Sequence, residues 1–302
     1  MSWTFSKPAG ERMTLISSRH PVAVSSISID PRVYRLGRLA VISLHTELVC
    51  APKPGLVTPY DSGSHSDMDA TTFMRSLFAL RSYFVAIAIA GYRHAGFAEL
   101  NRLGRDAEIQ MLYATGGINT HRGAIFSLGL LVAGAAALHS SGVSRPTGNA
   151  VCIEVARRWG HELSAAPPDP ASHGQRVACR YGVGGARLEA IRGFPVLRQI
   201  ALPGLRAGLA AGLETESALI DTLMRLVAVL DDTNLLHRGG AEGLEFAQTE
   251  AQGFIADGGC HADHWRVRLA KLSDDFIARR LSPGGSADLL ACGWFLNRLE
   301  VS

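Results

Sequence analysis

The sequence has almost no excess of charge of either sign. Its 302 residues include 30 lysines and arginines against 27 aspartates and glutamates, which gives a net charge of +3 at pH 7. Nucleic-acid-binding domains usually carry a strong basic excess or a basic stripe, so we expect no nucleic-acid partner. Any anionic ligand must therefore be met by local clusters of cationic side chains.

Paired cysteines and long apolar runs are also lacking. The five cysteines include no C-x-x-C pair, which is typical of reduced thiols in a cytosolic protein. Residues 1–8 have no basic segment followed by an apolar one, so we expect no secretory signal peptide and a cytoplasmic location. The longest apolar stretch, about 124–138, is shorter than the roughly 20 residues of a membrane span. It predicts a buried core helix with close helical neighbours, and no membrane contact.

Several motifs of known enzyme classes are absent as well. The sequence has no G-x-S-x-G elbow, no H-E-x-x-H pair and no Rossmann glycine fingerprint. It also has no Walker A pattern, G-x-x-x-x-G-K-[ST]. Hydrolase triads, zinc proteases and dinucleotide oxidoreductases therefore receive no support.

What the sequence does contain is helical periodicity. Apolar residues make up 47% of the chain, enough to bury a sizeable core. A first helix is predicted to follow Asp30 and Pro31, an N-cap with proline at the first helical position, and to end before 52–55. No region alternates with period two over several strands. We therefore predict an all-α, bundle-like single domain over residues 31–302, preceded by a poorly structured segment, residues 1–30.

Further helices follow from the same periodicity. Ser66 is the predicted cap of the second helix, whose apolar stripe continues to Ile89. Residues 140–175 are predicted to be mainly loop, because they carry Ser, Gly and a Pro-Pro-Asp-Pro run. The other predicted helices cover about 100–113, the segment from 121 onward, 217–230, 242–255, 264–280 and 287–299.

Two short segments repeat one pattern. Residues 119–123 read Asn-Thr-His-Arg-Gly and residues 234–239 read Asn-Leu-Leu-His-Arg-Gly, each at a predicted helix boundary. Glycine lets backbone approach a ligand closely, and arginine beside histidine supplies donors that suit phosphate. A single His-Arg pair is usually an ordinary surface feature, but its repetition favours a nucleotide site.

Carboxylates near helix ends form a second pattern. Such groups are the usual anchors of Mg²⁺ that also contacts substrate phosphates. An aspartate at a helix start is equally a good N-cap with a favourable dipole interaction. The residues concerned are Asp67, Asp69, Asp231 and Asp232, with Glu47 and Glu108 inside predicted helices.

Two further segments suit an anion. Residues 282–288 read Ser-Pro-Gly-Gly-Ser-Ala-Asp, a glycine-rich turn into a helix N-terminus, where free backbone N–H groups can bind phosphate. A plain N-cap explains this turn equally well. Lys53, held between two prolines and before Gly55, is another phosphate candidate.

Five ordered segments carry a resemblance to a known family. Residues 53–57, 63–69, 114–126, 232–240 and 281–291 resemble the motif series of the triphosphoribosyl-dephospho-CoA synthases, and 185–190 and 193–195 also fit. The resemblance covers about residues 40–298, and five motifs in one order are far more specific than any one of them.

The resemblance implies a reaction. The family joins ATP and 3′-dephospho-CoA, releases adenine and makes 2′-(5″-triphosphoribosyl)-3′-dephospho-CoA, which a holo-acyl-carrier-protein transferase then uses. One branch serves citrate lyase and the other malonate decarboxylase. This chain has Thr58 and Asp61 where the citrate branch more often has Asp and Asn, which favours the malonate decarboxylase branch.

This chemistry needs an acid for the departing base, a base for the attacking hydroxyl, and Mg²⁺ and cations around a triphosphate that stays intact. We assign catalysis to His65, Asp69, Glu108, His121 and Asp232. Mg²⁺ is assigned to Asp67, Asp69, Glu108, Asp231 and Asp232. Substrate binding is assigned to Lys53, Asn119, Arg122, Asn234, His237, Arg238, Ser282, Gly284, Gly285 and Ser286.

Alternatives remain open from the sequence. The same reaction could serve citrate lyase, or the chain could be an all-α Mg²⁺-dependent nucleotide pyrophosphohydrolase, which also places acids on helices around the metal. A third alternative is a non-catalytic helical partner of an acyl-carrier complex, which would leave the repeated Asn/His-Arg-Gly pattern unexplained. We also consider a homodimer.

Overall fold

The first helix begins where the sequence predicts. The structure, a computed structural model, describes residues 30–167, 169 and 172–301. Asp30 Oδ1 accepts the backbone N–H of Arg32 at 2.8 Å, and Pro31 occupies the first position of α1. Proline lacks an N–H and its fixed φ suits a helix start. The Asp30 cap and Pro31 therefore specify the start of α1 without contacts from the rest of the chain. The segment predicted to be poorly structured, residues 1–30, lies outside the described residues except for Asp30.

The described residues form thirteen α-helices and no strand, which confirms the all-α prediction. A π-helical turn, Leu197–Ala201, precedes α9, and a 3₁₀ turn, Gly259–His261, precedes α12. The helices are α1 Pro31–Val49, α2 Ala70–Ala79, α3 Arg81–Tyr92, α4 Phe97–Ala114, α5 Arg122–Ser140, α6 Gly148–Ala165, α7 His173–Tyr181, α8 Gly185–Ile191, α9 Leu202–Ala210, α10 Thr215–Val227, α11 Thr233–Ala256, α12 Trp265–Ala278 and α13 Gly284–Val301.

Helix α5 is the centre of the fold. It packs against α1, α3, α4, α6, α8 and α13, and most of its side chains are buried. Its small residues allow this close packing: a Cβ on Gly129 would overlap the Tyr83 hydroxyl, and one on Gly91 of α3 would overlap the backbone of Ala133. The predicted core helix with close neighbours is confirmed.

Two predicted helix boundaries are wrong. The second helix begins at Ala70 and is capped by Asp69, not by Ser66. It also ends at Ala79, and α3 continues after a bend of 42° at Leu80. The apolar stripe runs through both helices because α2 and α3 pack on the same core, which hides the bend from periodicity.

The predicted loop over 140–175 contains an eighteen-residue helix, α6. Thr147 caps it by accepting the N–H of Ala150 at 3.2 Å. Its buried residues include Val151, Val155 and Trp159, which recur every four positions and form one apolar face. The Pro-Pro-Asp-Pro run follows the helix instead of replacing it.

Helix α5 is long and apolar enough to cross a membrane. Helices α2 and α3 together also reach that length and apolarity, although a bend separates them. The apolar window of α5 is 78% buried inside the described part of the chain. A core helix of a folded protein has this character, so the apolarity of α5 is explained by packing.

Candidate active site

A cavity of about 420 Å³ lies where the starts of three helices meet. These are α5, α11 and α13, and residues of α1, α2, α3, α4, α6, α7 and α8 also line the cavity. The cavity combines apolar side chains with several cationic and acidic ones. A mixed concave site of this kind is typical of a ligand pocket. The predicted site residues that line it are His65, Glu108, Asn119, His121, Arg122, Asp231, Asp232, Asn234, Arg238, Ser282, Gly284 and Gly285.

Asp232 joins two of the helix starts. It is 1% exposed and accepts the backbone N–H of Asn234 at 2.9 Å, at the beginning of α11. It also accepts the backbone N–H groups of Gly285 at 3.3 Å and Ser286 at 2.8 Å, at the beginning of α13. Burial raises the pKa of this carboxyl, and the hydrogen bonds from Ser286 and Asn234 oppose that rise.

This arrangement changes the interpretation of the Ser-Pro-Gly-Gly turn. The backbone donors of Gly285 and Ser286 bind Asp232, and Gly284 N donates to Ser282 O at 2.9 Å. The donors that a phosphate would need are therefore bound within the protein. Because both oxygens of Asp232 accept hydrogen bonds, its geometry is that of a shared helix cap and does not favour metal or acid–base work.

His65 lies between Arg238 and Ser282. Arg238 Nη2 is 3.0 Å from His65 Nδ1, and His65 Nε2 is 3.0 Å from Ser282 Oγ. Since a guanidinium can only donate, Nδ1 is the acceptor and Nε2 carries the proton that is donated to Ser282. Burial, and then the charge of Arg238, lower the pKa of His65, so both effects favour the neutral ring.

Arg238 is itself held by the backbone. Its Nη1 donates to Ser64 O at 3.0 Å and to Arg280 O at 3.1 Å. It therefore fixes the 63–65 loop and the end of α12 against α11. We expect it to act on a ligand through its charge and through the position of His65.

Lys53 and Glu47 form a buried ion pair. Lys53 Nζ lies 2.5 Å from Glu47 Oε1 and 2.6 Å from Glu47 O. Their side chains are 1% and 8% exposed, and Glu47 lines the cavity whereas Lys53 does not. The ammonium predicted to hold phosphate is thus directed at a protein carboxylate.

His121 is buried at the start of α5. Its Nδ1 lies 2.7 Å from Ser76 Oγ, and the edge of its ring packs against Phe73. Burial, and then the charge of Lys53, lower the pKa of His121 to about 3, so the ring is neutral near pH 7. Its Nε2 and the hydroxyl of Thr120 are buried without a hydrogen-bond partner among the described residues, and both residues line the cavity. A bound ligand could therefore pair with both groups.

Arg122 lies beside Glu108. Arg122 Nε is 2.9 Å from Glu108 Oε2, and both side chains are about one-third exposed at the cavity. Burial raises the pKa of Glu108, while the charge of Arg122 opposes that rise. Asn119 Oδ1 accepts the backbone N–H of Arg122 at 3.1 Å, so the Asn of this segment satisfies the first N–H of α5.

Five predicted residues do not line the cavity. Asp69 is exposed and accepts the N–H and the hydroxyl of Thr72, both at 2.8 Å, as the cap of α2. Its pKa is lowered by these hydrogen bonds. The helix-cap interpretation therefore describes Asp69, and the geometry gives no support to its predicted catalytic and metal roles. The five are Lys53, Asp67, Asp69, His237 and Ser286.

No cluster of three or more His, Cys, Asp or Glu side chains with metal-binding geometry occurs within the described residues. Mg²⁺ commonly binds one or two carboxylates together with substrate phosphates, and such a site needs no protein cage. Glu108 and Asp231 are the predicted metal ligands whose side chains line the cavity and are not used as helix caps. These two fit that mode of binding.

Some cavity residues were not singled out from the sequence. Arg187 donates to the carbonyls of Leu163 and Ala166 and so caps the C-terminus of α6. Its segment, 185–190, is one of those that carry the family resemblance, and this was the signal in the sequence that could have identified Arg187. Arg105 and Gln175 belong to no motif, and only the fold brings them to the cavity.

Asp288 is a further missed residue. It lines the cavity from α13, opposite the start of α5. A Cβ on Gly123 would overlap Asp288 Oδ2, so the glycine allows this carboxyl to approach the helix start. Burial, and then the neighbouring Glu47 and Asp232, raise the pKa of Asp288 well above its usual range. Asp288 lies in the last motif, but the sequence interpretation considered only the turn before it.

Comparison with known proteins agrees with the resemblance. The model of the family described as ATP:dephospho-CoA triphosphoribosyl transferase (CitG) matches residues 33–302. A probable 2-(5''-triphosphoribosyl)-3'-dephosphocoenzyme-A synthase of Stutzerimonas stutzeri is 43% identical over 270 residues, 88% of this chain and 91% of that protein. The synthase of the same name from Klebsiella pneumoniae is 41% identical over 293 residues, 91% of this chain and 97% of that protein. No solved structure matches the chain.

Proposed function

Because the chain belongs to the family of ATP:dephospho-CoA triphosphoribosyl transferases, we propose that it transfers the 5-triphosphoribosyl group of ATP to the ribose 2′-hydroxyl of 3′-dephospho-CoA and releases adenine. The observation that carries this proposal is the convergence of all five motif segments on one cavity. Each contributes lining residues, for example Val57, His65, His121, Asp232 and Ser282.

The charges at the cavity suit a nucleoside triphosphate. Arg122 and Arg238 place positive charge at the cavity, where a phosphate can bind. The neutral rings of His65 and His121 provide hydrogen bonds without adding a charge. Carboxylates beside the ribose stabilise the positive charge that develops as its bond to adenine breaks.

We include Mg²⁺ in the proposal. Glu108 and Asp231 would hold it together with phosphate oxygens, and the metal would neutralise charge on a triphosphate that is kept intact. Arg122, the ion-pair partner of Glu108, would orient that carboxylate.

The proposal is tested by incubating the purified protein with ATP, Mg²⁺ and dephospho-CoA and weighing the products. We expect free adenine and an adduct that retains all three phosphates of ATP. Release of pyrophosphate and AMP would instead support the nucleotide pyrophosphohydrolase. Failure to bind ATP would support a non-catalytic partner.

For the physiological branch, we propose that the product serves malonate decarboxylase. Thr58, at the position where the citrate branch more often has an aspartate, is 3% exposed, and its hydroxyl accepts the N–H groups of Tyr60 and Asp61, both at 3.2 Å. A neutral side chain thus closes this turn. Because both branches use the same product, the test removes the gene for this chain from its host and measures the prosthetic group on each carrier protein. Loss from the malonate decarboxylase carrier protein supports the proposal, and loss from the citrate lyase carrier protein alone would overturn it.

A further inference from the structure

Three carboxyl groups at the cavity have strong partners, which Asp288 lacks. Asp232 caps two helices, Glu47 pairs with Lys53, and Glu108 pairs with Arg122. Of the others without an ion pair, Asp231 is exposed, and the charges of Arg192 and Arg198 favour the ionised form of Glu189. Within the described residues, Asp288 has no ion pair with Lys, Arg or His. The one hydrogen bond that acts on its charge comes from the backbone N–H of Ala124.

The surroundings of Asp288 favour its acid form. The acidic groups that act on it are Glu47 from α1 and Asp232 from the start of α11, and Cys292 lies one turn further along α13. The nearby cation, Lys53, is bound to Glu47 at 2.5 Å. Asp288 is half-buried at the cavity wall. Desolvation of its carboxyl, and then these two acids, raise its pKa. A carboxyl group with a raised pKa that lines a ligand cavity and has no cationic partner is suited to proton donation.

We propose that Asp288 donates the proton that adenine takes up as its bond to the ribose of ATP breaks. This assignment rests on the proposed transferase activity. It gives the departing base a specific acid within the cavity, at a residue that the motif alone did not single out.

The proton balance is complete with one residue. The bond between C1′ of the ATP ribose and N9 of adenine breaks, its electron pair goes to adenine, and Asp288 supplies the proton. The 2′-hydroxyl oxygen of dephospho-CoA then bonds to the same C1′. The proton that this hydroxyl loses returns to the Asp288 carboxylate, which restores the acid for the next turnover.

The main test is Asp288→Asn, which keeps the shape and a carbonyl for the Ala124 N–H but cannot donate a proton. We expect kcat for adenine release to fall by about 10²–10⁴-fold, the usual contribution of a general acid, and the KM for ATP to change by less than about threefold. In the wild type the rate should fall as pH rises through the pKa of Asp288. The residual rate of the variant should lack that alkaline fall.

Asp221→Asn is the control for losing an aspartate elsewhere in the fold. Asp221 accepts a backbone N–H, that of Cys260 at 3.1 Å, but it is paired with Arg225 at 2.7 Å and lies outside the cavity. This variant should keep the wild-type kcat per folded molecule. A second variant, Gly123→Ala, keeps the acid but displaces it, because the new methyl group would occupy the position of Oδ2. Its kcat should also fall.

Two results for Asp288→Asn overturn the proposal: a kcat within about threefold of wild type, or a residual rate that retains the alkaline fall. If Asp288→Asn does not fold, an unchanged kcat in Gly123→Ala overturns it instead. A wild-type protein that releases no adenine from ATP and dephospho-CoA would overturn the transferase activity, and this inference with it. Measuring the wild type in parallel therefore separates the two failures.

Discussion

Asp232 Oδ2 accepts both the backbone N–H of Ser286, at 2.8 Å, and the hydroxyl of the same residue, at 3.0 Å. Oδ1 accepts the N–H of Asn234 at 2.9 Å. One buried carboxylate thus satisfies the first donors of both α11 and α13, which would otherwise lack partners. The relative position of two motif segments depends on this side chain.

Replacing Asp232 with asparagine should destabilise the fold. The amide keeps one acceptor, but its NH₂ group would face donors of Asn234 or Ser286, so the free energy of unfolding should fall by roughly 2–4 kcal/mol. Urea denaturation followed by circular dichroism measures this loss. Ser286→Ala removes only the hydroxyl hydrogen bond and should lose about 1 kcal/mol. Equal losses in the two variants would contradict the role of Asp232 as a shared cap.

The buried pair of Lys53 and Glu47 predicts non-additive effects. Lys53→Met leaves the Glu47 carboxylate buried without its cation, and breaking such a pair costs about 3–5 kcal/mol. Adding Glu47→Gln removes the unpaired charge, so the double variant should be more stable than Lys53→Met alone. A double-mutant cycle from urea denaturation checks this order. Losses that simply add would show that the two side chains do not interact.

The hydrogen bond from Arg238 predicts a low pKa for His65. An NMR titration should find this pKa below 6.5, and Arg238→Ala should raise it, because both burial and the guanidinium charge oppose protonation. Arg102→Ala, which removes an exposed arginine of α4 paired with Asp106, should leave it unchanged. The same pKa in wild type and Arg238→Ala would contradict the assigned contact.

The direction of the His65 shift also fixes its effect on stability. The unfolded chain binds the proton more readily than the folded one between the lowered pKa and 6.5. The stability that neutral His65 contributes is therefore present above pH 6.5 and is lost as the pH falls towards the folded-state pKa.

The sequence predicted those helices whose starts or apolar faces are determined by neighbouring residues in the chain. Asp30 and Pro31 identify the start of α1, and apolar periodicity identifies α5. Helix α6 also has a signal in the sequence, since Val151 and Val155 begin an apolar face, but the prolines that follow it favour a loop. The bend at Leu80 had no comparable signal, because the apolar stripe is continuous across it.

The sequence predicted twelve of the residues that line the candidate site, but it could not predict their partners. Whether the turn at 283–286 holds a phosphate depends on whether its N–H groups are free, and Asp232, far away in the chain, binds them. Asp69 and Asp232 look alike as helix-start aspartates. Only the fold makes one an exposed cap and buries the other at the cavity.

Asp288→Asn should stabilise the protein while it lowers activity, and the gain should depend on pH. The pKa of Asp288 is raised in the folded state, so between the ordinary value of 3.8 and the folded-state value the folded chain binds more proton than the unfolded chain. Stability from this group is therefore lost as the pH rises through that interval. Asparagine carries no such proton, so the difference in unfolding free energy between variant and wild type should grow from about pH 4 upward. Urea denaturation of both proteins at several pH values measures that difference, with Asp221→Asn as the control for losing an aspartate elsewhere in the fold. A difference that stays constant or shrinks as the pH rises would show that the Asp288 carboxyl is ionised at little cost, and it could not then be the acid that serves adenine.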